Sequence, residues 1–253
     1  MPAAIFIRLA LLEARRGGLA WFAALCVVGG IALGAFVAQL AISESRLTQA
    51  AIVAALLRLS AVFIIAAQVV ASVRREIDER RLELMLALPL ARATQYLGRL
   101  AGFVVLAIVL AACFCLPLAL WAPLPGVLAW GASLACELAL VAAAALFFAM
   151  TLTQPVPALG ATAALYLLGR TIGTIQAIAA GPLAGDSLGQ QLASGTVKAI
   201  ALLLPALERA TRSEWLLYGA PPAQALAAAL AGCLIYAALL AAAGLFDFQR
   251  RAL

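Results

Sequence analysis

The sequence contains no histidine, which removes the commonest metal ligand and the commonest general base from any chemistry the chain carries. Charge is scarce too: 11% of the residues are charged and 66% are hydrophobic, where soluble domains run at roughly 25% charged and 45–50% apolar. A water-soluble core has no use for that much apolar surface, so the bilayer must serve as solvent for most of the chain. No G-x-x-x-x-G-K-[ST] phosphate loop is present, so a function driven by ATP needs a second polypeptide to bind the nucleotide. The five cysteines, Cys26, Cys113, Cys115, Cys136 and Cys233, each lie within an apolar segment. Cys113 and Cys115 are two apart and do not share a helix face, so all five read as small core residues rather than as disulfide partners or metal ligands. No cleavable signal peptide is expected, because Arg8, Glu13, Arg15 and Arg16 interrupt the N-terminus and the apolar run from Gly18 is too long for a signal h-region. No repeat or low-complexity linker divides the chain, which reads as one membrane domain over 1–253.

What is present is a series of apolar segments of membrane-spanning length. Six are predicted, at 19–41, 51–73, 98–121, 127–150, 158–180 and 224–246, each long enough to cross a hydrocarbon core as a helix that satisfies its own backbone. An even number places both termini on one side. With the termini in the cytoplasm, eleven basic residues fall inside: Arg8, Arg15, Arg16, Arg74, Arg75, Arg80, Arg81, Arg92, Arg99, Arg250 and Arg251. Four fall outside, namely Arg46, Lys198, Arg209 and Arg212. This bias predicts a multi-pass protein of a bacterial-type cytoplasmic (inner) membrane with cytoplasmic termini. The net charge of +6 is therefore a topology signal, and no nucleic-acid partner is expected.

Residues 1–17 are expected to form a short interfacial helix with Ile5, Phe6, Leu9 and Leu12 toward lipid. Two connections carry paired prolines, Pro123 with Pro125 and Pro155 with Pro157, and read as tight turns. The long connection 181–223 is expected to lie on the extracytoplasmic side as short or re-entrant helices, since irregular backbone cannot face lipid. Trp21, Trp121, Trp130, Trp215 and Tyr218 are placed near the membrane interfaces, as aromatic belts are.

The densest charge lies between the second and third spans. Residues 74–99 hold six of the 17 basic and four of the 11 acidic residues. Read as a helix, 74–88 separates Ile77, Leu84, Met85 and Leu88 from Glu76, Glu79, Arg80 and Glu83, with Glu76 and Arg80 at i,i+4 spacing and Pro89 as its end. A plain topology loop needs basic residues only. Four carboxylates on a structured helix suit docking to a soluble partner.

The run Arg75-Glu76, then Leu82-Glu83-Leu84-Met85-Leu86-Ala87-Leu88-Pro89, then Tyr96-Leu97-Gly98-Arg99 resembles the cytoplasmic loop of type-2 ABC transporter permeases. Arg80-Arg81 stand where that family often has Gly-Thr, and Arg99 where it has lysine. The resemblance implies an all-α integral membrane fold: six transmembrane helices with an N-terminal interfacial helix, a cytoplasmic coupling helix and short extracytoplasmic re-entrant helices before the last span. It also implies that loop 74–92 couples to a separate ABC ATPase through Arg75, Glu76, Glu79, Arg80, Glu83 and Leu84. Two ATPase copies carrying ATP and Mg would work with a second permease copy, as a homodimer or related heterodimer, while this chain itself binds no cofactor. Outward transport is implied in the same way.

Inside the spans, Glu137 and Arg170 lie near the middle of consecutive antiparallel segments and are expected to meet at similar depth. Pairing would reduce the cost of about 2.5–3.5 kcal/mol that each charge incurs on insertion. Either a polar point in a transport pathway or a structural ion pair fits, and Arg58 lies about two turns inside its span. Gly30/Gly34 and Gly169/Gly173 have the small-xxx-small spacing of close helix contacts or of a dimer seam. In the long outer connection, Glu208, Arg209, Arg212 and Glu214 are candidates for an extracytoplasmic gate. The Ala-, Leu- and Val-rich spans suit an amphipathic or lipid-like cargo. The alternatives are a membrane assembly or scaffold protein and a lipid-modifying enzyme, for which the acidic cluster Glu76, Asp78, Glu79 and Glu83 is the available site.

Overall fold

A computed structural model of the protein describes residues 2–40, 45–79, 92–179 and 188–250. Among them there is no strand. The helices are α1 (Pro2–Arg16), α2 (Leu19–Leu40), α3 (Ser45–Asp78), α4 (Arg92–Leu118), α5 (Leu124–Thr151), α6 (Pro155–Ala179), α7 (Leu188–Leu203), α8 (Glu214–Leu217) and α9 (Ala223–Arg250), with a 3-10 turn at Leu207–Arg209. Six of them, α2 to α6 and α9, are long and apolar enough to cross a membrane. The six predicted spans are these six helices, with ends that differ by a few residues.

Local chemistry sets the boundaries. Pro123, with φ −65° and ψ 138°, stands in extended backbone just before α5. Pro155 opens α6, where a missing N–H costs nothing because the first turn has no acceptor for it. The expected tight turns are present as the short connections 119–123 and 152–154, each leading directly into a helix start. Gly18 (φ +80°) separates α1 from α2 in the left-handed conformation that ends helices, and the Gly17 amide donates to the Glu13 carbonyl at 2.7 Å.

The core lies around α5. Of its most apolar stretch 67% is buried, against 17% in α2 and in α9. It packs against α9, α4, α3 and α6. The run Ala142–Ala145 is buried throughout, and small side chains of this kind let neighbouring helices come close. Trp130 is fully buried on α5 and is therefore a core residue rather than a member of an interfacial belt. Trp215 is buried as well, while Trp21 and Tyr218 are exposed.

Both small-residue pairs are used within the chain. Gly30 and Gly34 of α2 admit Val53 and Leu57 of α3 and the Trp121 ring. Gly169 and Gly173 of α6 admit Pro205, Leu207 and Glu208.

The end of the bundle that carries α1, the start of α2 and the last turns of α3 and α9 is termed the terminal end. There, α1 lies on α4: Gly98 faces the Phe6 ring, and Gly102 faces Ala10 and the Phe6 carbonyl. Phe6 is thus turned toward protein, whereas Ile5, Leu9 and Leu12 are exposed as expected. The second span also differs from expectation. Its helix runs unbroken through Arg74, Arg75 and Glu76 to Asp78, so these residues belong to α3 rather than to a separate loop helix. At 34 residues α3 is about 51 Å long, well beyond a hydrocarbon core of about 30 Å, and its last turns form a stalk beside α1. Arg80, Glu83, Leu84, the rest of the expected 74–88 helix and the loop after it up to Ala91 lie outside the described residues, as do 181–187.

Candidate functional site

Two polar clusters stand out in a chain with so little charge. The first is in the middle of the bundle. Glu137, fully buried on α5, accepts a hydrogen bond from the Thr211 hydroxyl and lies 3.7 Å from Nη1 of Arg170 on α6. Ser133, one turn before Glu137, accepts a 2.9 Å hydrogen bond from the Thr211 amide. Arg170 donates to the carbonyls of Leu207 (2.6 Å), Ala210 (2.8 Å) and Thr211 (3.3 Å). From α3, Arg58 donates to the Thr211 carbonyl at 2.9 Å. The buried Tyr166 lies beside Glu137.

Physically this is a clamp on a piece of irregular chain. Residues 207–211 lie outside any α-helix; the Leu207 carbonyl accepts from the Ala210 amide at 3.1 Å in the 3-10 turn, and carbonyls left without partners are costly away from water. Two arginines supply the donors. The carboxylate of Glu137 offsets the charge of Arg170, and the Thr211 hydroxyl adds a hydrogen bond to it. Thr211 holds φ 48°, an uncommon conformation for a β-branched residue; the contacts to Ser133, Glu137, Arg58 and Arg170 hold it there. Counting 1.5 Å per residue, Glu137 is about 20 Å from the start of α5, and Arg170 about 13 Å from the end of α6. The segment after α7 therefore reaches well into the bundle. Leu207, Ala210, Trp215 and Leu216 are buried against it.

The expected meeting of Glu137 and Arg170 is present, and Arg58 joins them through the Thr211 carbonyl. The four residues named for a gate lie differently. Arg209, Arg212 and Glu214 are exposed, with Arg212 donating to the Glu208 carbonyl (3.2 Å) and lying 3.7 Å from Glu214. The Glu208 carboxylate rests on Gly173. Sequence reasoning missed Ser133 and Thr211, two small polar residues in an alanine-rich setting whose only signal is that one sits a turn before an intramembrane glutamate.

The second cluster is at the terminal end. Glu76 of α3 and Arg99 of α4 form a 2.7 Å ion pair with side chains 15% and 6% exposed. Glu13 of α1 accepts a 2.7 Å hydrogen bond from Ser72 and lies 3.6 Å from Arg75. Three elements are thereby joined where the chain leaves α3 and where it enters α4. Glu76 is expected on a polar face with Arg80, which lies outside the described residues; its carboxylate meets Arg99 of the next helix, a partner the sequence pattern does not name. Arg75 is half-exposed and Glu79 exposed. A cavity of about 320 Å³ opens here between α1 and α3, lined by Leu9, Glu13, Arg16, Arg75, Glu76 and Glu79 among others. Near it, Arg92 donates to the Gln249 carbonyl (3.5 Å) and Tyr96 packs on Phe248, tying α9 to the same end.

All five cysteines are free thiols. Cys113 is exposed rather than in the core, and Cys233 is buried. Among the described residues no group of three or more acidic, cysteine or histidine side chains is placed to hold a metal ion. No protein-family model matches the sequence, and no curated protein matches it.

Proposed function

We propose that the chain is the membrane-spanning permease subunit of an ATP-driven ABC transporter, an exporter of a lipid-like or amphipathic cargo. In this reading two copies, or one copy and a related chain, work with two copies of a separate ATPase that binds ATP and Mg. The terminal end lies in the cytoplasm of a bacterial-type inner membrane, and loop 74–92 docks on the ATPase. Residues 204–218 form the re-entrant piece on the opposite side.

The observation that carries the reading is the ionic junction at the root of that loop. A loop that transmits force must be fixed to the helices it moves, and the Glu76–Arg99 pair fixes its two feet, α3 and α4, to each other. The same α3 carries Arg58, bonded to the Thr211 carbonyl. Arg58 and Glu76 are 18 residues apart on one unbroken helix, about 27 Å. A displacement of α3 by the ATPase thus bears directly on the clamped segment at the other end, with no flexible link between. An ATPase that contacts the loop differently in its two nucleotide states biases the position of α3 through that differential contact.

The test is purification of the tagged full chain in mild detergent, with ATP hydrolysis measured for wild type and for Glu83→Arg. The expected result is ATPase activity with the wild type and its loss with the variant, while the variant stays monodisperse. If no ATPase accompanies the wild type and the variant behaves identically, the loop is a topology signal only, and the scaffold and lipid-modifying readings take its place.

A further inference from the structure

A lateral groove of about 470 Å³ runs along the outside of the bundle between α2 and α4. Its α2 wall extends from Leu19 to Val28 and its α4 wall from Leu106 to Leu116. These are rises of about 14 and 15 Å, the thickness of one leaflet of a hydrocarbon core of about 30 Å. Among the described residues that line the groove, Arg15 is the one that carries a charge. It is exposed and stands in the last turn of α1, just before α2 enters the apolar region. Charge at one end and a leaflet-deep apolar channel beyond it match the two ends of a phospholipid.

We propose that this groove binds an anionic phospholipid, with an acyl chain between α2 and α4 and the phosphate headgroup at Arg15. The choice of an anionic lipid follows from charge complementarity. A basic residue at the surface of an anionic leaflet favours such lipids, and the one carboxylate near Arg15 on α1, Glu13, is already engaged with Ser72 and Arg75. The proposal requires only that α2 and α4 lie in lipid. It is independent of the coupling to an ATPase and survives if that reading fails.

Cys113, an exposed thiol in the α4 wall, supplies the probe. With the other four cysteines replaced by alanine, a bimane label on Cys113 is reconstituted into phosphatidylcholine vesicles. Increasing fractions of acyl-brominated phosphatidylglycerol or acyl-brominated phosphatidylcholine are then added as quenchers. The expected result is quenching by both, with about a fivefold preference for the anionic lipid, lost in Arg15→Gln. A groove-filling variant, Ala23→Phe, should reduce quenching by either lipid. Equal quenching by the two lipids in the wild-type background overturns the proposal, as does a preference that persists in Arg15→Gln. Absence of quenching by either lipid also overturns it, because the groove is then covered by protein, such as a second copy of the chain.

Discussion

At the residue scale, the central cluster behaves as a unit because each charge in it is offset by something specific. Arg170 satisfies three carbonyls and faces one carboxylate. Removing that carboxylate leaves a cation with dipoles alone in a low-dielectric surround. Glu137→Ala is therefore expected to destabilise the protein by about 3–5 kcal/mol, the usual consequence of breaking one side of a buried pair. Replacing both partners should cost less than the sum of the two single changes. Thermal unfolding in detergent of Glu137→Ala, Arg170→Met and the double variant measures this, and strict additivity would show that the pair is not coupled. The charged members of the cluster were legible in the sequence, since an ionisable residue in the middle of an apolar run has few acceptable surroundings. Thr211 and Ser133 were not, because a hydroxyl on an alanine-rich helix can satisfy itself on its own backbone, as Thr162 does with the Ala158 carbonyl at 2.8 Å.

At the element scale, glycines decide how closely the 204–218 segment seats against its neighbours, and two of them make opposite cases. A Cβ at Gly173 would overlap the carboxylate of Glu208, and one at Gly126 would overlap, less severely, the Trp215 carbonyl oxygen. The first obstacle is the tip of a flexible side chain at a partly exposed site, while the second is backbone held by α8. Gly126→Ala is expected to lower the melting temperature more than Gly173→Ala, although its steric overlap is the smaller. Overpacking of this kind costs about 1–3 kcal/mol. Melting curves of the two variants read the order directly, and the reverse order would mean that α8 shifts more readily than Glu208. Helix existence was plain from the apolar runs, and the prolines marked the starts of α5 and α6. The length of α3 was not. Charged residues such as Arg74, Arg75 and Glu76 look like the end of a span, yet a helix can continue past the hydrocarbon when its exposed turns find partners, here Glu13 and Arg99.

At the scale of the whole molecule, the arginine distribution makes a prediction about sidedness. Single cysteines placed at Arg250 and at Arg209 in a cysteine-free background should react with a membrane-impermeant maleimide from opposite sides of the membrane, Arg209→Cys from outside intact cells and Arg250→Cys only after permeabilisation. Labelling of both from the same side would contradict six crossings between the termini. The sequence by itself determined the number and places of the apolar helices, because a polypeptide in hydrocarbon must satisfy its backbone locally and composition alone reports that requirement. It also marked Glu137, Arg170 and Arg58 as residues in need of partners. Only the tertiary structure decided who those partners are: the carbonyls of 207–211 for the two arginines, Thr211 for Glu137, and Arg99 for Glu76. The reason is physical. A side chain's partner is chosen by packing among segments far apart in the chain, here 74 residues between Glu137 and Thr211 and 153 between Arg58 and Thr211, and no local pattern encodes such a distance.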